Sequence, residues 1–434
     1  MSTPLWQPSQ QEIEKTLLTH FSKKIQQKYK LPNIKYSTLH QWSIEFPELF
    51  WEEVWRDCEV RCSVPWSKVM SKTSFSEKIG TEPSGWFTGA RLNFAENLLA
   101  QGKAENEALC FIGEDASTRS LSYADLRKAV AQCASGMKAL GVTENDRVAA
   151  VLPNCPEAVI GMLAAASLGA IWSSCSPDFG INGIYDRLGQ ISPKILITVN
   201  AYNYNGKEHQ CLDKIREISQ RISSIESVFV AAFTETPMEL QGKEQPWEAL
   251  LDTSPGPLAF AQLPFDHPLY ILYSSGTTGL PKSIVHGAGG TLLKHLTEHR
   301  YHADVQFGDR LFYFTTCGWM MWNWLASGLA SGATLILYDG APGFPDMGRM
   351  WRLIDDQRIT HFGTSPKFLG AVNKAGYSPK ANNQLNSLRV ILSTGSPLPS
   401  DLFSWVYAEV ASVALMSVAG GTDIVGCFMG GNPN

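Results

Sequence analysis

The chain alternates short apolar runs with longer segments whose apolar residues recur at helical spacing. The segment SYADLRKAVAQCASGMKALGV, starting at Ser122, has this spacing and a stop at Gly141, and DRVAAVLP after it has the composition of a buried strand. Residues 157–168 predict the next helix. Further strands are predicted in ASLGAIWSSCSP, PKILITV, ESVFVAA, LFYFTT, ATLILYD, THFGTSP and SLRVILSTG. Strands alternating with helices build parallel sheets that helices cover, so the pattern predicts an α/β fold of two stacked β-sheet subdomains covered by helices.

The N-terminal part of the chain has a different composition. Residues 1–75 are rich in tryptophan and mixed charge. Five aromatic residues have spacings that suit the inner faces of short helices: Trp42, Phe46, Phe50, Trp51 and Trp55. We therefore expect residues 1–75 to form a helical cap packed on a large domain of residues 76–434. The Gly, Pro and Gln content of residues 236–257 marks this stretch as the best candidate linker.

Charge and cysteine content narrow the function classes. The 434 residues carry 36 Lys and Arg against 41 Asp and Glu, so no global basic field would recruit nucleic acid or a membrane surface. A phosphate-bearing partner must therefore be met by a local site. The nine cysteines have no CxxC spacing, which indicates buried reduced thiols. Neither a signal-peptide pattern nor an apolar run of membrane-spanning length occurs, which predicts a cytoplasmic protein. Nothing in the sequence indicates its oligomeric state.

The candidate for that local site follows the apolar strand at residues 269–272. The next segment, SSGTTGLPKS, has two glycines, Gly276 and Gly279, that allow a tight turn and a close approach to an anion. Lys282 adds a point charge, and four side chains add hydroxyl donors: Ser274, Ser275, Thr277 and Thr278. This combination suits a phosphate chain, although a Gly/Ser-rich surface turn is the other interpretation.

The segment nearly matches the phosphate loop GxxxxGK[ST] of nucleoside triphosphatases. Gly276 to Ser283 fits at every position but one, where Pro281 replaces the second glycine. Proline has no N–H to donate and restricts the backbone, so that class of ATPase is disfavoured.

YSSGTTGLPKSIVH resembles the phosphate-binding signature of the adenylate-forming enzymes, the acyl-CoA synthetases and their relatives. CGWMMW resembles the family's substrate-side segment, and STGSPL and SVAGGTDIVG resemble its adenine and magnesium segments in the expected order. Within the family, FPELFWEEVW, ARLNFAENLL, SSCSPDFG and NYNGK are most similar to the short-chain branch, and more narrowly to acetoacetyl-CoA synthetases. The resemblance covers nearly the whole chain and implies the large N-terminal domain of that fold.

The resemblance implies a two-step ligation that uses ATP, Mg²⁺ and coenzyme A. A carboxylate attacks the α-phosphate of ATP to give an acyl-adenylate and pyrophosphate, and coenzyme A then displaces AMP to form a thioester. By motif position, the β- and γ-phosphates would be bound by Ser274, Ser275, Gly276, Thr277, Thr278, Gly279 and Lys282. Thr422 would bind the α-phosphate, and Asp423 stands where the family's magnesium-binding glutamate lies, although a solvated or helix-capping acid is an equal interpretation on spacing alone. The catalytic set would be Lys282, Thr422 and Asp423.

The resemblance also implies an adenine segment and an acyl pocket. AMP would lie along Gly395, Ser396, Pro397, Ser417, Val418, Ala419, Gly420, Gly421 and Thr422, with Ser396 replacing the family's acid. The acyl pocket would be lined by Trp319, Met320, Met321, Thr394 and Gly420. In acetyl-CoA synthetases a tryptophan stands at the position of Gly420, so loss of the indole would favour a longer acid such as acetoacetate. Acetyl-, propionyl- or butyryl-CoA synthesis and a catalytically silent adenylate-binding module remain alternatives.

Two further expectations concern the histidines and the end of the chain. His295, His299 and His302 follow each other at spacings that would suit a metal, but a helix face that is exposed or packed on the cap is favoured. The chain stops at Asn434 without the family's hinge and small C-terminal domain, whose lysine orients the reacting groups. On that basis we expect the C-terminal small domain to be absent and the chain to bind nucleotide better than it turns over.

Overall fold

The computed structural model describes residues 4–71, 85–274 and 279–434. The strands are β1 (Lys68–Met70), β2 (Trp86–Thr88), β3 (Arg91–Leu92), β4 (Glu107–Gly113), β5 (Thr118–Ser122), β6 (Arg147–Val151), β7 (Ile171–Cys175), β8 (Ile195–Val199), β9 (Ala201–Tyr204), β10 (Lys207–Gln210), β11 (Ser227–Ala231), β12 (Glu244–Pro246), β13 (Leu263–Pro264), β14 (Pro268–Ser274), β15 (Lys282–Gly287), β16 (Arg310–Tyr313), β17 (Thr334–Asp339), β18 (His361–Thr364), β19 (Val390–Ser393), β20 (Ala414–Ser417), β21 (Ala419–Gly421) and β22 (Gly426–Met429).

The helices are α1 (Gln10–Lys15), α2 (Leu17–Tyr29), α3 (Tyr36–Glu45), α4 (Pro47–Asp57), α5 (Phe94–Ala100), α6 (Tyr123–Ala139), α7 (Pro156–Leu168), α8 (Ile181–Leu188), α9 (Leu212–Arg221), α10 (Ala288–Thr297), α11 (Met320–Ser327), α12 (Arg349–Asp356), α13 (Pro366–Lys374), α14 (Pro379–Asn382) and α15 (Ser400–Glu409). Short 3₁₀ helices span Trp247–Leu250, Gly328–Ser331 and Thr422–Ile424, and a π-helical turn, Glu298–His302, continues α10.

Two large sheets carry the fold, as the sequence pattern predicts. Among the described residues, the first sheet has the strand order β12-β11-β8-β6-β7-β14-β15 and the second has the order β20-β19-β18-β16-β17-β4-β5. Neighbouring strands are parallel except at one edge of each sheet, where β15 and β5 run antiparallel to β14 and β4. The sequence pattern did not predict these two hairpins.

Each face of a sheet packs on its own layer of helices, because successive side chains of a strand point to opposite faces of the sheet. In β4, Leu109 and Phe111 join the large core that contains α6 and α7, while Cys110 and Ile112 join a separate core with α12, α13 and α15. The outer face of the first sheet packs in the same way on α8 and α9. α7 begins at Pro156, ends at Gly169 in the left-handed region (φ 78°), and is buried on nearly all its faces between the sheets.

The cap and linker expectations have different outcomes. Helices α1 to α4 fill the N-terminal region, and Trp42 and Trp55 are buried as expected, whereas Phe50 and Trp51 are half-buried. The expectation was wrong for Phe46, which is 43 % exposed between α3 and α4. The 75/76 boundary lies outside the described residues. The linker prediction was wrong: β12 extends the first sheet beside β11, and Trp247 and Leu250 are buried. Apolar residues within a Gly- and Pro-rich stretch are enough to fix it to the core.

All nine cysteines are free thiols, seven of them buried, as the lack of paired spacing predicted. No helix in the described part of the chain is both long and apolar enough to cross a membrane.

Candidate active site

The phosphate-binding segment connects the two strands of the β14–β15 hairpin at the edge of the first sheet. Ser274 is paired with Lys282 across the hairpin, so the hydroxyl and the ammonium group lie at the base of the same loop. Lys282 is exposed, and Gly279 has φ +131°, a conformation that favours glycine. Ser275, Gly276, Thr277 and Thr278 lie outside the described residues. The hairpin therefore presents Ser274 and Lys282 to solvent beside a turn that requires Gly279.

The two predicted adenine segments lie side by side at the carboxyl end of the second sheet. Thr394 donates its hydroxyl hydrogen to the carbonyl of Val418 at 2.6 Å, and Val418 N–H donates to the carbonyl of Ser393 at 2.8 Å. The Leu398 amide approaches Ser417 Oγ at 3.5 Å. Gly395 turns away with φ +101°, which leaves Ser396 and Pro397 exposed. Ligands of parallel sheets bind at this kind of edge, where loops leave the carboxyl ends of strands.

Thr422 and Asp423 join this edge to the phosphate hairpin. They form the 3₁₀ turn Thr422–Ile424, which packs against β14. Thr422 is half-buried and Asp423 is exposed. The three segments that the sequence assigns to ATP thus converge where the two sheets meet.

His286 belongs to the same junction, and sequence reasoning missed it. It lies on β15 four residues beyond Lys282, is 7 % exposed, and its Nε2 has no hydrogen-bond partner in the described part of the chain. Burial lowers the pKa of His286, and the backbone of Thr422 and the carboxylate of Asp423 oppose that shift. Its position on the strand that begins at Lys282 is the signal that could have identified it.

The predicted acyl-pocket residues divide into two groups. Met321, at the start of α11, and Val418 both line a cavity of about 450 Å³ that is bounded by β16, β19, β20, β22, α10 and the cap helices α2 to α4. Trp319, Met320, Thr394 and Gly420 do not line this cavity, and the Trp319 side chain is 61 % exposed. Of the five predicted acyl-pocket residues, this cavity therefore includes only Met321, and the acyl pocket itself stays a prediction.

Gly420 has a backbone reason to be glycine. It pairs with Cys427 across the β21–β22 hairpin, and a Cβ on Gly420 would lie 2.1 Å from the carbonyl oxygen of Gly426. An indole at this position would require the Gly426 backbone to move. The Gly426 and Cys427 backbone occupies the space next to the Gly420 Cα, and the part that Gly420 plays in acid selection stays a prediction.

The segment that follows Asp423, which includes β22, is held by one face of α10 and its π-helical extension. His295 Nε2 lies 2.6 Å from the carbonyl of Val425, and His302 Nδ1 lies 2.9 Å from the carbonyl of Gly431. Glu298 accepts from the Cys427 amide at 2.8 Å, while Lys294 donates to the Cys427 carbonyl at 2.5 Å. We call Lys294, His295, Glu298 and His302 the α10 clamp.

The structure shows the surroundings of the three histidines for which the sequence offered a metal site or a helix face. His295 and His299 are fully buried, so the exposed interpretation is wrong for them, and their contacts are with α11 and the segment after Asp423. His295 Nδ1 lies 2.7 Å from Ser327 Oγ, and the His299 ring packs against Trp324 at 4.1 Å between ring centroids. In the described ranges no group of three His, Cys, Asp or Glu side chains could hold a metal ion.

Comparisons with known proteins show the family to which the chain belongs. Residues 98–433 match the family model described as AMP-binding enzyme, and residues 36–98 match the model described as acetyl-coenzyme A synthetase N-terminus. The chain belongs to the AMP-binding enzyme family. The second match includes α3, α4 and β1 to β3, so this part of the chain is similar to the N-terminus of acetyl-coenzyme A synthetases.

Three individual proteins of this family resemble the chain over almost its whole length. An acetoacetyl-coenzyme A synthetase from Rhizobium meliloti is 44 % identical over 99 % of the chain, and a malonamoyl-CoA synthetase from Penicillium aethiopicum is 41 % identical over 98 %. A solved structure of acetoacetyl-CoA synthetase from Streptomyces lividans covers the whole chain at 39 % identity with a TM-score of 0.94. The chain spans 66 % and 62 % of the lengths of the two relatives and 67 % of the solved chain.

Proposed function

We propose that the chain carries the adenylate-forming site of an ATP-dependent ligase that converts a short-chain acid, preferentially acetoacetate, to its coenzyme A thioester. The observation that carries the proposal is the convergence of three segments at the sheet junction: the base of the hairpin at Ser274 and Lys282, the loop after β19, and the turn with Thr422 and Asp423. Family membership and two relatives named acetoacetyl-CoA synthetase support it.

The chemistry needs charge compensation and alignment more than a strong acid or base. A carboxylate is a poor acyl donor because its leaving group would be oxide, and a mixed anhydride with AMP supplies a better one. In the proposed site Lys282 and the hydroxyl groups of the loop compensate the β- and γ-phosphates, while Thr422 holds the α-phosphate for attack. Gly395 to Pro397 and Ser417 to Gly421 would flank the adenine.

Mg²⁺ fits this site through Asp423. Its carboxylate is exposed beside the turn of Thr422, and the described residues offer no cluster of three protein ligands. Magnesium in nucleotide sites is usually held by one or two carboxylates, with phosphate oxygens and water as the other ligands. When bound, the ion would neutralise phosphate charge. We assign no described residue to coenzyme A.

The choice of acid rests on the chemistry that the relatives share. Acetoacetyl and malonamoyl groups both carry a carbonyl at C3, one as a ketone and the other as an amide, so the names of the relatives favour an acid with that acceptor. Acetate, propionate and butyrate lack it. A binding module without adenylation activity remains the alternative from another class.

The site is tested by calorimetric titration of the chain with ATP and Mg²⁺. We expect Lys282→Ala to weaken ATP binding at least about tenfold, because a hydrogen bond to a charged partner contributes roughly 1.5–3 kcal/mol to binding. Lys23→Ala, which removes an exposed lysine of α2, is the matched control. Equal ATP affinities of the unaltered chain, Lys282→Ala and Lys23→Ala would contradict the assignment of Lys282 to the phosphates. ATP hydrolysis that needs no carboxylic acid and is lost in Lys282→Ala would indicate a nucleoside triphosphatase instead.

The acid is tested by pyrophosphate release with acetoacetate, malonamate, acetate, propionate and butyrate at equal concentrations. We expect the two acids with a C3 carbonyl to give the highest kcat/KM. A preference for butyrate or propionate would identify a different short-chain ligase. If the chain binds ATP but releases no pyrophosphate with any of these acids, the result would favour the binding module without adenylation activity.

A further inference from the structure

A buried tyrosine hydroxyl on the wall of the cavity has no partner in the protein. Tyr313, the last residue of β16, lines the cavity together with Met321 and Val418 and is 3 % exposed. Its hydroxyl is fully buried and makes no hydrogen bond to any residue that the structure describes. Buried hydroxyls in proteins almost always find a partner, so an orphan at a cavity wall indicates that a ligand supplies the acceptor.

The ring of Tyr313 is fixed by its surroundings. A Cβ on Gly363, in the neighbouring strand β18, would lie 2.1 Å from the ring, so only glycine leaves room for it. Trp324 packs edge-on against the ring with the centroids 5.9 Å apart, and the Trp324 indole N–H is itself held by Glu298 at 2.9 Å. A phenol held in this way is a donor of fixed position, which suits recognition of one acceptor atom.

The other polar groups on the cavity wall are already engaged or exposed. Lys294 and Glu298 bind the Cys427 backbone and each other, and His302 lies 2.9 Å from the Gly431 carbonyl. Thr297 and Tyr301 donate to Leu293 and Asp57, while Ser43 donates to His40, whose ring is exposed. Among the described residues that line the cavity, the Tyr313 hydroxyl is the buried donor left for a ligand.

The remaining wall is apolar and sulfur-rich. Leu392, Met416 and Met429 line it, and the Cys427 thiol lies close enough to Tyr313 to raise the pKa of the phenol in addition to the larger effect of burial. Tyr313 therefore stays protonated and can donate but not act as an anion. An uncharged acceptor, such as a ketone or amide oxygen, fits this wall better than a second carboxylate, whose burial would leave its charge unpaired.

We infer that the Tyr313 hydroxyl donates a hydrogen bond to the C3 carbonyl oxygen of the acyl group and thereby sets the preference for 3-oxo acids over saturated acids. This inference rests on the proposed adenylate site, because Val418, which lines the cavity, is also hydrogen-bonded to Ser393 and Thr394 beside the predicted adenine segment. Tyr313 acts in specificity and takes no part in bond making.

The test is calorimetric binding of three non-reactive AMP esters to the 434-residue chain. The 3-oxobutyl ester has the acceptor, the butyl ester lacks it, and the 3-methylidenebutyl ester has the shape of the ketone without the acceptor. We expect the 3-oxobutyl ester to bind roughly tenfold tighter than the other two, since a buried donor is otherwise left unpaired. Tyr313→Phe is expected to remove this difference by weakening the 3-oxobutyl ester alone.

Tyr123→Phe is the control, because Tyr123 is an equally buried tyrosine whose hydroxyl already donates to the Ala333 carbonyl at 2.8 Å. An unchanged tenfold ratio in Tyr313→Phe would overturn the inference. Equal binding of all three esters to the unaltered chain would also overturn it and leave the adenylate site standing. If no ester binds, the proposed function fails and this inference fails with it. The comparison of esters on the unaltered chain holds even if Tyr313→Phe does not fold.

Discussion

At the residue scale, the backbone that faces Gly420 across the β21–β22 hairpin gives this position a structural reason to be glycine. Replacing Gly420 by alanine would push a Cβ to 2.1 Å from the Gly426 carbonyl oxygen, whereas at Gly421 the nearest atom, Asp423 Oδ2, is 3.8 Å away. We expect Gly420→Ala to lower the free energy of unfolding by about 1–3 kcal/mol, as overpacking does, and Gly421→Ala by less than about 0.5 kcal/mol. Urea denaturation midpoints check both. Equal stability of the two variants would show that the hairpin relaxes without cost.

Sequence motifs could predict some residues of the candidate site but not others. The resemblance assigned the segments around Gly395 and Val418 to one nucleotide, and in the structure these segments are neighbours because each follows a strand of the same parallel sheet. The motifs did not identify His286 or Tyr313, whose importance depends on hydrogen-bond partners that they lack. An unpaired buried atom is a property of the packed structure and has no signature in residue type or spacing.

At the element scale, the α10 clamp couples a helix to the turn that bears Thr422 and Asp423. Glu298 is 6 % exposed and accepts from the Cys427 amide and the Trp324 indole, so Glu298→Ala would leave two donors unpaired beside Lys294. We expect this variant to lose roughly 2–5 kcal/mol of stability and to speed hydrogen exchange at the Cys427 amide.

Glu217→Ala is the control for the clamp, because it removes an exposed i,i+4 ion pair with Arg221 on α9. Exposed pairs of this kind contribute at most about 1 kcal/mol. If Glu298→Ala exchanges the Cys427 amide no faster than Glu217→Ala, the clamp does not order the turn. The sequence predicted the helix but not the clamp, because side chains eight residues apart bind a segment more than 120 residues away.

At the scale of the whole molecule, three fully buried histidines, His295, His299 and His361, lie in surroundings that favour the neutral imidazole. Burial is the main cause that lowers the pKa of His295 and His361, and burial together with these two neighbours lowers the pKa of His299 well below its usual range. His361 Nε2 lies 2.9 Å from the Ala303 carbonyl, so this group joins β18 to the segment after the clamp. His299 has no hydrogen-bond partner on either nitrogen within the described ranges.

Stability should therefore depend on pH in a defined direction. The unfolded chain binds a proton at each imidazole below a pH of about 6.5, while the folded chain keeps these groups neutral, so stability falls as the pH drops through that value. Each buried imidazole lowers the free energy of unfolding by roughly 1 kcal/mol when the pH falls from 7 to 5.5. We expect His299→Phe, which keeps the ring contact with Trp324, to recover about that amount at pH 5.5 in urea denaturation. His20→Phe, at an exposed position of α2, is expected to recover none. If His299→Phe and the unaltered chain lose the same stability between pH 7 and pH 5.5, His299 does not contribute to the acid sensitivity of the protein.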